Sequence, residues 1–382
     1  MEYESIFNKY KEESLRGRYI TLDHIEQALK GIPSSKLDVI GHSCEQRPIY
    51  AVTIGSGPKK ILMWSQMHGN ESTATKALFD IFNLLSDGSE LSRMLRLSFT
   101  FCFVPMLNPD GAFRYTRENA AEVDLNRDFV ALSQPETKAL KALFDNFKPD
   151  FCYNLHDQRT IFGVGDTGKS ATVSFLSPSF NEAREWNANR KAAVAVIKAM
   201  NSVLQKSIPG QVGRFDDSFN INCAGDSFQF AGVPTILIEA GHFDRDYERE
   251  VTRYYLFIAL LSGLVYITEN DIVGNGIDEY LNIPQNKKVF YDIVYKNIKF
   301  NYDGNEIITN FAVQFSEVLI GNRIDFIGKI AAIGNLDGFF GHIEYDGYKG
   351  LFRSDSGHNP IIDKRADFYI GNVKFENGMP QS

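Results

Sequence analysis

Between residues 48 and 240 the chain repeats one pattern, a short apolar run followed by a stretch of helical periodicity. The runs are "PIYAVTIG" (48–55), "KILMWSQ" (60–66), "LSFTFCFVP" (97–105), "DFCYNLH" (150–156) and "PTILIEA" (234–240). Several of them are apolar at nearly every position, so both faces of such a strand have to be covered. Helical patterns occupy 73–85, 134–147, 179–205 and 246–267. Strands and helices alternating in this way predict an α/β fold, a central sheet with helices on both faces. After about residue 275 the texture changes. "VFYDIVYKNIKFNYDG", "EVLIGNRIDFIGKIAAIG" and "GFFGHIEYDGYKGLF" are short alternating runs broken by Gly, Asn and Asp, which predicts a smaller all-β domain. We place the α/β domain at 1–272 and the β domain at 280–382. A chain of 382 residues is longer than one core usually grows, and two domains suit it.

Charge and composition remove several classes of partner. Lys+Arg number 40 against 48 Asp+Glu, a net charge of −8, and no basic stripe is present to neutralise a phosphate backbone. Nucleic acid is therefore not an expected partner. The longest apolar stretch, "YYLFIALLSGLVYI" (254–267), is too short for a bilayer span and reads as a buried helix, so no membrane association is expected either. The N-terminal "MEYESIFNKYKEES" is charged and lacks the apolar centre of a signal peptide, which points to the cytoplasm. Four cysteines with no Cys-x-x-Cys pair fit free thiols better than a disulfide frame.

In an α/β sheet, ligands bind beyond the carboxyl ends of the strands, so polar residues that follow the apolar runs are the ones to collect. "KILMWSQ" runs into His68 and Glu71, the third run into "NPDG" (108–111), the fourth into His156 and Asp157, and the fifth into Glu239. Between them lies "RYTRENAAEVDLNRDF", with Arg114, Arg117, Asp124, Asn126 and Arg127. Alone, each piece has an ordinary reading: a solvated helix start, a core histidine, a capping glutamate, surface arginines. Together, two imidazoles and a carboxylate at neighbouring strand ends are a zinc set of the catalytic type, with a fourth position for water. Glu239 is then the acid left over to handle protons.

The ordered motifs "IGHSCEQRPIYAVTIG" (40–55), "HGNE" (68–71), "NPDG" (108–111), "TRENAAEVDLNRDF" (116–129), "NLHD" (154–157) and "ILIEAGH" (236–242) resemble the zinc metallocarboxypeptidases related to carboxypeptidase A. The resemblance covers about residues 40 to 245. It implies a mixed central sheet in the α/β domain, one Zn2+ per chain held by His68, Glu71 and His156, and Glu239 as general base and acid. It further implies that Asn126 and Arg127 hold the free carboxylate of a peptide substrate, that Arg117 (with Arg114 as its rival) polarises the scissile carbonyl, and that Asp124 orients a zinc histidine. A planar guanidinium suits bidentate recognition of a carboxylate, which fits Arg127 to that role. A second reading comes from the more distant aspartoacylase and succinylglutamate desuccinylase group, which shares motifs of the "HGNE" and "DLNR" type and a β-rich C-terminal domain. Its substrates are N-acyl amino acids, which also offer a free carboxylate.

The chain departs from the carboxypeptidase A pattern at one place. No tyrosine occurs between Tyr153 and Tyr247, where these enzymes bring a tyrosine over the substrate. The segment "GRFDDSFNINCAGDSFQFAG" (213–232) offers Phe215 or Phe219 as a steric cover, and its Asp216, Asp217 and Asp226 read as solvated loop acids. "IFGVGDTGKSATVSF" (161–175) lacks Walker spacing and reads as a loop. His342 and His358 in the β domain have no ligand spacing and read as turn or surface residues.

Overall fold

The computed structural model describes residues 1–33, 36–272 and 274–381. They form two compact units, one of residues 1–158 and 171–286 and one of 159–170 and 287–382.

The first unit is built on an eight-stranded sheet. Its strands are β1 (Leu37–His42), β2 (Pro48–Gly55), β3 (Lys59–Trp64), β4 (Phe99–Val104) and β5 (Phe151–Asp157). After β6 (Phe162–Val164), which belongs to the other unit, follow β7 (Val173–Leu176), β8 (Val212–Arg214) and β9 (Thr235–Ala240). The spatial order is β1-β2-β4-β3-β5-β9-β7-β8. The run β4-β3-β5-β9 is parallel, whereas β1, β2 and the β9–β7 pair introduce antiparallel neighbours, so the sheet is mixed.

Among the described residues these α-helices accompany it: α1 (Tyr3–Tyr10), α2 (Leu22–Leu29), α3 (Thr73–Ser86), α4 (Glu90–Ser98), α5 (Pro109–Arg114), α6 (Pro135–Phe147), α7 (Ala188–Leu204), α8 (Ala224–Phe230), α9 (Glu250–Glu269) and α10 (Ile277–Leu281). Alternate residues of the central strands feed two cores, as the pleat requires. Ile61, Met63, Tyr153 and Leu155 join the core that contains α3, α7 and α9. Leu62, Trp64 and Cys152 join the one formed with α6 and α8, where the Phe144 and Phe228 rings stack at 3.9 Å. Helices therefore cover both faces. The apolar run 254–267 lies inside α9 and is core, with Leu256 to Leu261 buried.

Two helices begin later than their sequence pattern. The helix expected over 179–205 starts at Ala188, because the Asn187 side chain accepts the Arg190 backbone N–H and caps it there. The helix expected over 246–267 starts at Glu250, since Arg249 is held at a φ of 61° and cannot continue a right-handed helix backwards. Strands β1 and β8 and helices α1, α2, α4, α5, α8 and α10 are not expected from the sequence. The segment 161–175, expected as a loop, contains β6 and most of β7.

The second unit is all β. β6 pairs with β10 (Asn286–Lys288). A four-stranded sheet has the order β13 (Arg323–Gly334), β12 (Asn305–Ile320), β11 (Phe290–Tyr302), β14 (Phe340–Asp346). A second runs β15 (Phe352–Arg353), β16 (Phe368–Ile370), β17 (Val373–Glu376), β18 (Met379–Pro380). Its core is aromatic, with Tyr295 packed among Phe311, Phe368 and Phe375. His342 is half-buried on β14, with Nε2 2.8 Å from the Thr160 carbonyl and its ring stacked on Phe290. His358 is exposed.

Candidate active site

The parallel strands β3, β5 and β9 end on one edge of the sheet, and that edge collects the polar residues. His156 is the penultimate residue of β5, and its register partner on β9 is Glu239. Parallel neighbours in register point to the same face, so both side chains lie on the face that carries Asn154 and Cys152. β3 stops at Trp64, and the next residues turn through Gln66 into His68 and Glu71 before α3 begins.

His68, Glu71 and His156 converge. His68 Nδ1 lies 2.8 Å from Glu71 Oε1, His156 Nδ1 lies 2.9 Å from Glu71 Oε2, and the two Nδ1 atoms are 3.1 Å apart. One ligand atom from each of the three residues lies within 4.8 Å of the others, and all three residues are buried. Asp124 Oδ1 sits 3.1 Å from His68 Nε2. A carboxylate thus faces each ring nitrogen; with a cation held at Nδ1, the ring proton would sit on Nε2 and be donated to Asp124. Two imidazole nitrogens and a carboxylate gathered around one point, with a carboxylate behind the first imidazole, are the donor set and support that zinc takes.

The electrostatics agree with that chemistry. Burial alone pushes Glu71 up, but the two histidines outweigh it and hold its carboxyl well below the usual range. Burial lowers His68, and Glu71 with Asp124 more than restores it. His156 is lowered, chiefly by burial. Glu239 is driven well above the ordinary carboxylate range by burial and then by the charges of Glu71 and Asp157, with Arg117 and Arg249 pulling it back. Its Oε2 is buried without a hydrogen-bond partner. A cation held among His68, Glu71 and His156 would favour its ionised form.

The loop from Arg114 to Arg127 supplies the remaining groups. Arg117 grips Asp124 Oδ2 through Nε (3.1 Å) and Nη2 (3.0 Å), and its Nη1 reaches Glu71 Oε1 at 3.3 Å. Arg114 instead pairs with Glu45, so the structure brings Arg117 and not Arg114 to the cluster. Asn126 donates its backbone N–H to Asp124 Oδ1 (2.9 Å), and its Oδ1 accepts from Ala224 N (2.9 Å), which leaves Nδ2 as the group free to donate. Arg127 is exposed, with Nη1 3.2 Å from Cys223 Sγ. Burial lifts the Cys223 thiol to about 11. Of the loop acids, Asp217 pairs with the buried Arg190, and Asp226 is buried and accepts from Asn220 N (3.0 Å). Asp216 alone is largely solvated.

Several supporting residues had no role in the sequence reading. The Asn108 side chain caps α5 by accepting from Gly111 N (2.8 Å) and donates to the carbonyls of Met67 and Arg117. It thereby joins the ligand loop to the arginine loop. Gly69 packs so closely there that a Cβ would lie 2.0 Å from the Gly111 carbonyl carbon. Arg249, buried, donates to the carbonyls of Ala240, Gly241 and Gln158 and so ties the carboxyl ends of β9 and β5 together. Asp157 accepts from the Thr73 hydroxyl (2.6 Å) at the start of α3, and its backbone N–H donates to Glu71 Oε2 (3.0 Å). Asn108 had a usable signal, an Asn-Pro pair of the N-cap type. Arg249, in a charged run, had none.

Comparison with known proteins is consistent with this geometry. The zinc carboxypeptidase family model matches residues 21–236. Carboxypeptidase SOL1 of Arabidopsis thaliana is 32% identical over 168 residues, 38% of this chain and 34% of that protein, so the match spans about a third of that relative's length. Among solved structures, a metallo-carboxypeptidase from Burkholderia cenocepacia superposes with a TM-score of 0.53 at 20% identity, over 65% of this chain and 70% of that one. Thrombin-activatable fibrinolysis inhibitor gives 0.52 at 15% identity, over 70% and 81%. These two share the fold.

Proposed function

The chain belongs to the zinc carboxypeptidase family, and from that premise we propose that it hydrolyses the peptide or amide bond next to a substrate's free carboxylate. The observation that carries this reading is the convergence of His68 Nδ1, His156 Nδ1 and Glu71 at the sheet edge, on the face where Glu239 stands beside His156. His68, Glu71 and His156 would hold one zinc ion, with Asp124 keeping His68 in the ligating tautomer. Bound there, the metal supplies Lewis acidity, polarising a carbonyl and lowering the pKa of water to about 7.

The chain's own groups do the rest. Arg127 and the Nδ2 of Asn126 take the substrate carboxylate by charge-assisted hydrogen bonds. Arg117, fixed in orientation by its double contact with Asp124, directs Nη1 toward the cluster, where it stabilises negative charge growing on the carbonyl oxygen. Glu239 takes a proton from the attacking water and passes it to the departing amine nitrogen.

The test is zinc content together with turnover of two panels, C-terminally free peptides and N-acyl amino acids, by the wild type and by Glu239→Gln. We expect about one zinc per chain, removal of the last residue from peptides, and a kcat lowered by about 10²- to 10⁴-fold in Glu239→Gln. Cleavage confined to N-acyl amino acids would replace this reading with the deacylase one. Absence of zinc binding would remove it.

A further inference from the structure

Residues 12–20 precede the family match and contain no helix or strand. Five of their carbonyl oxygens nevertheless accept from side chains elsewhere in the first unit. Glu12 O and Leu15 O accept from Arg253 (2.9 and 2.7 Å), Gly17 O from Lys76 Nζ (2.8 Å), Arg18 O from Ser72 Oγ (2.6 Å) and Ile20 O from Gln66 Nε2 (2.8 Å). Gln66, Ser72 and Lys76 bracket His68 and Glu71 in sequence, so the segment is a strap laid along the ligand loop.

Gln66 is the donor that reaches both. Its Nε2 also donates to Gly69 O (2.8 Å), inside His-x-x-Glu, its Oε1 accepts from Thr75 Oγ1 (2.9 Å) in the first turn of α3, and its carbonyl accepts from Asn108 N (3.0 Å). It is 1% exposed. It also adopts a φ of 47°, a left-handed conformation that a non-glycine side chain disfavours and that persists only where the surroundings enforce it. One carboxamide thus joins the strap, the loop carrying both N-terminal ligands, and the helix that follows.

We propose that Gln66 is a positioning residue for the metal centre, setting the spacing of His68 and Glu71 by holding Gly69 O against the 12–20 strap. The inference rests on the reading of His68, Glu71 and His156 as zinc ligands. It assigns to the segment before the family match a part in building that site.

The test uses the full chain and two variants. Gln66→Asn keeps an amide and favours the left-handed backbone, but it is one methylene too short to reach both carbonyls. Gln66→Met keeps the length and removes every side-chain hydrogen bond. Zinc affinity is measured by competition with a chromophoric chelator, the geometry by the visible spectrum of the cobalt(II)-substituted protein, and folding by the melting midpoint of the metal-free form. We expect zinc binding about tenfold weaker in Gln66→Asn, an altered cobalt spectrum, and a metal-free midpoint near that of the wild type. Wild-type affinity and an unchanged spectrum in Gln66→Asn overturn the proposal. If Gln66→Met does not fold, Gln66→Asn decides. If the wild type itself binds no zinc, the metal-site reading falls first and this inference falls with it.

Discussion

At the scale of single residues, the proposed function separates groups that would touch the metal or substrate from groups that hold those in place. On that proposal Arg127 belongs to the first kind. Its guanidinium is exposed, makes no ion pair among the described residues, and donates to Asn126 O and Cys223 Sγ, so it enters the reaction with its charge uncompensated at close range. Arg127→Lys keeps the charge and loses the fork. We expect KM for a C-terminally free peptide to rise about tenfold or more with a smaller change in kcat, because a carboxylate held equally in ground and transition states contributes uniform binding. A peptide amidated at its C-terminus should show little difference between wild type and variant, and steady-state kinetics on the matched pair of substrates checks this. On the same proposal Asp124 is of the second kind and would act through His68 and through Arg117, since its one side chain contacts both an imidazole and a guanidinium.

At the scale of elements, the first unit joins α3, α9 and the N-terminal strap with buried charge. Asp80 on α3 and Arg253 on α9 form a fully buried double contact at 2.5 and 2.8 Å. One turn away, Lys76, also fully buried, meets Glu250 at 2.6 Å. Burial pushes the Glu250 carboxyl up, but Lys76, Arg253 and Lys11 together outweigh it and hold it down at about 2, from an ordinary value of 4.5. A carboxyl depressed in the folded state stabilises the fold above its unfolded-state value and loses that contribution as pH falls toward the folded-state value. The window is therefore from about pH 4.5 down to about 2, and the contribution lost there is about 3 kcal/mol. Glu250→Gln leaves Lys76 buried without its partner. We expect it to lower stability at neutral pH by about 3 kcal/mol and to flatten the acid limb between pH 4.5 and 2. Urea unfolding of both proteins at a series of pH values measures the difference.

At the scale of the whole molecule, the candidate ligands all come from the first unit, and so do both tryptophans, Trp64 and Trp186. Tryptophan fluorescence therefore reports the unit that would hold the metal. Zinc at a hundred times its dissociation constant should stabilise that unit by about 2.7 kcal/mol, and a chelator should lower the fluorescence-detected melting midpoint accordingly. An unchanged midpoint would mean that no zinc binds the folded state preferentially. The same division between chain and fold separates what could be read early from what could not. The α/β class, the five central strands and the motifs of the zinc carboxypeptidase family are written in the sequence, because each depends on local periodicity or on residues within a few positions of one another. A strand apolar on both faces has to be central, and polar residues just after such strands have to lie at one edge of a parallel sheet. The short strands β1, β7 and β8 toward the two sides of the sheet were not legible as strands, since three to six residues are too few to establish a period. Assignment of 159–170 to the second unit, the contacts that bring Arg117 to the cluster and Arg114 to Glu45, and the hydrogen bonds made by Gln66, Asn108 and Arg249 were decided by tertiary structure alone. These residues act by donating to carbonyls or carboxylates that are, in several cases, forty or more positions away, and a main-chain carbonyl is the same in every residue, so the sequence holds no mark of which one will be used.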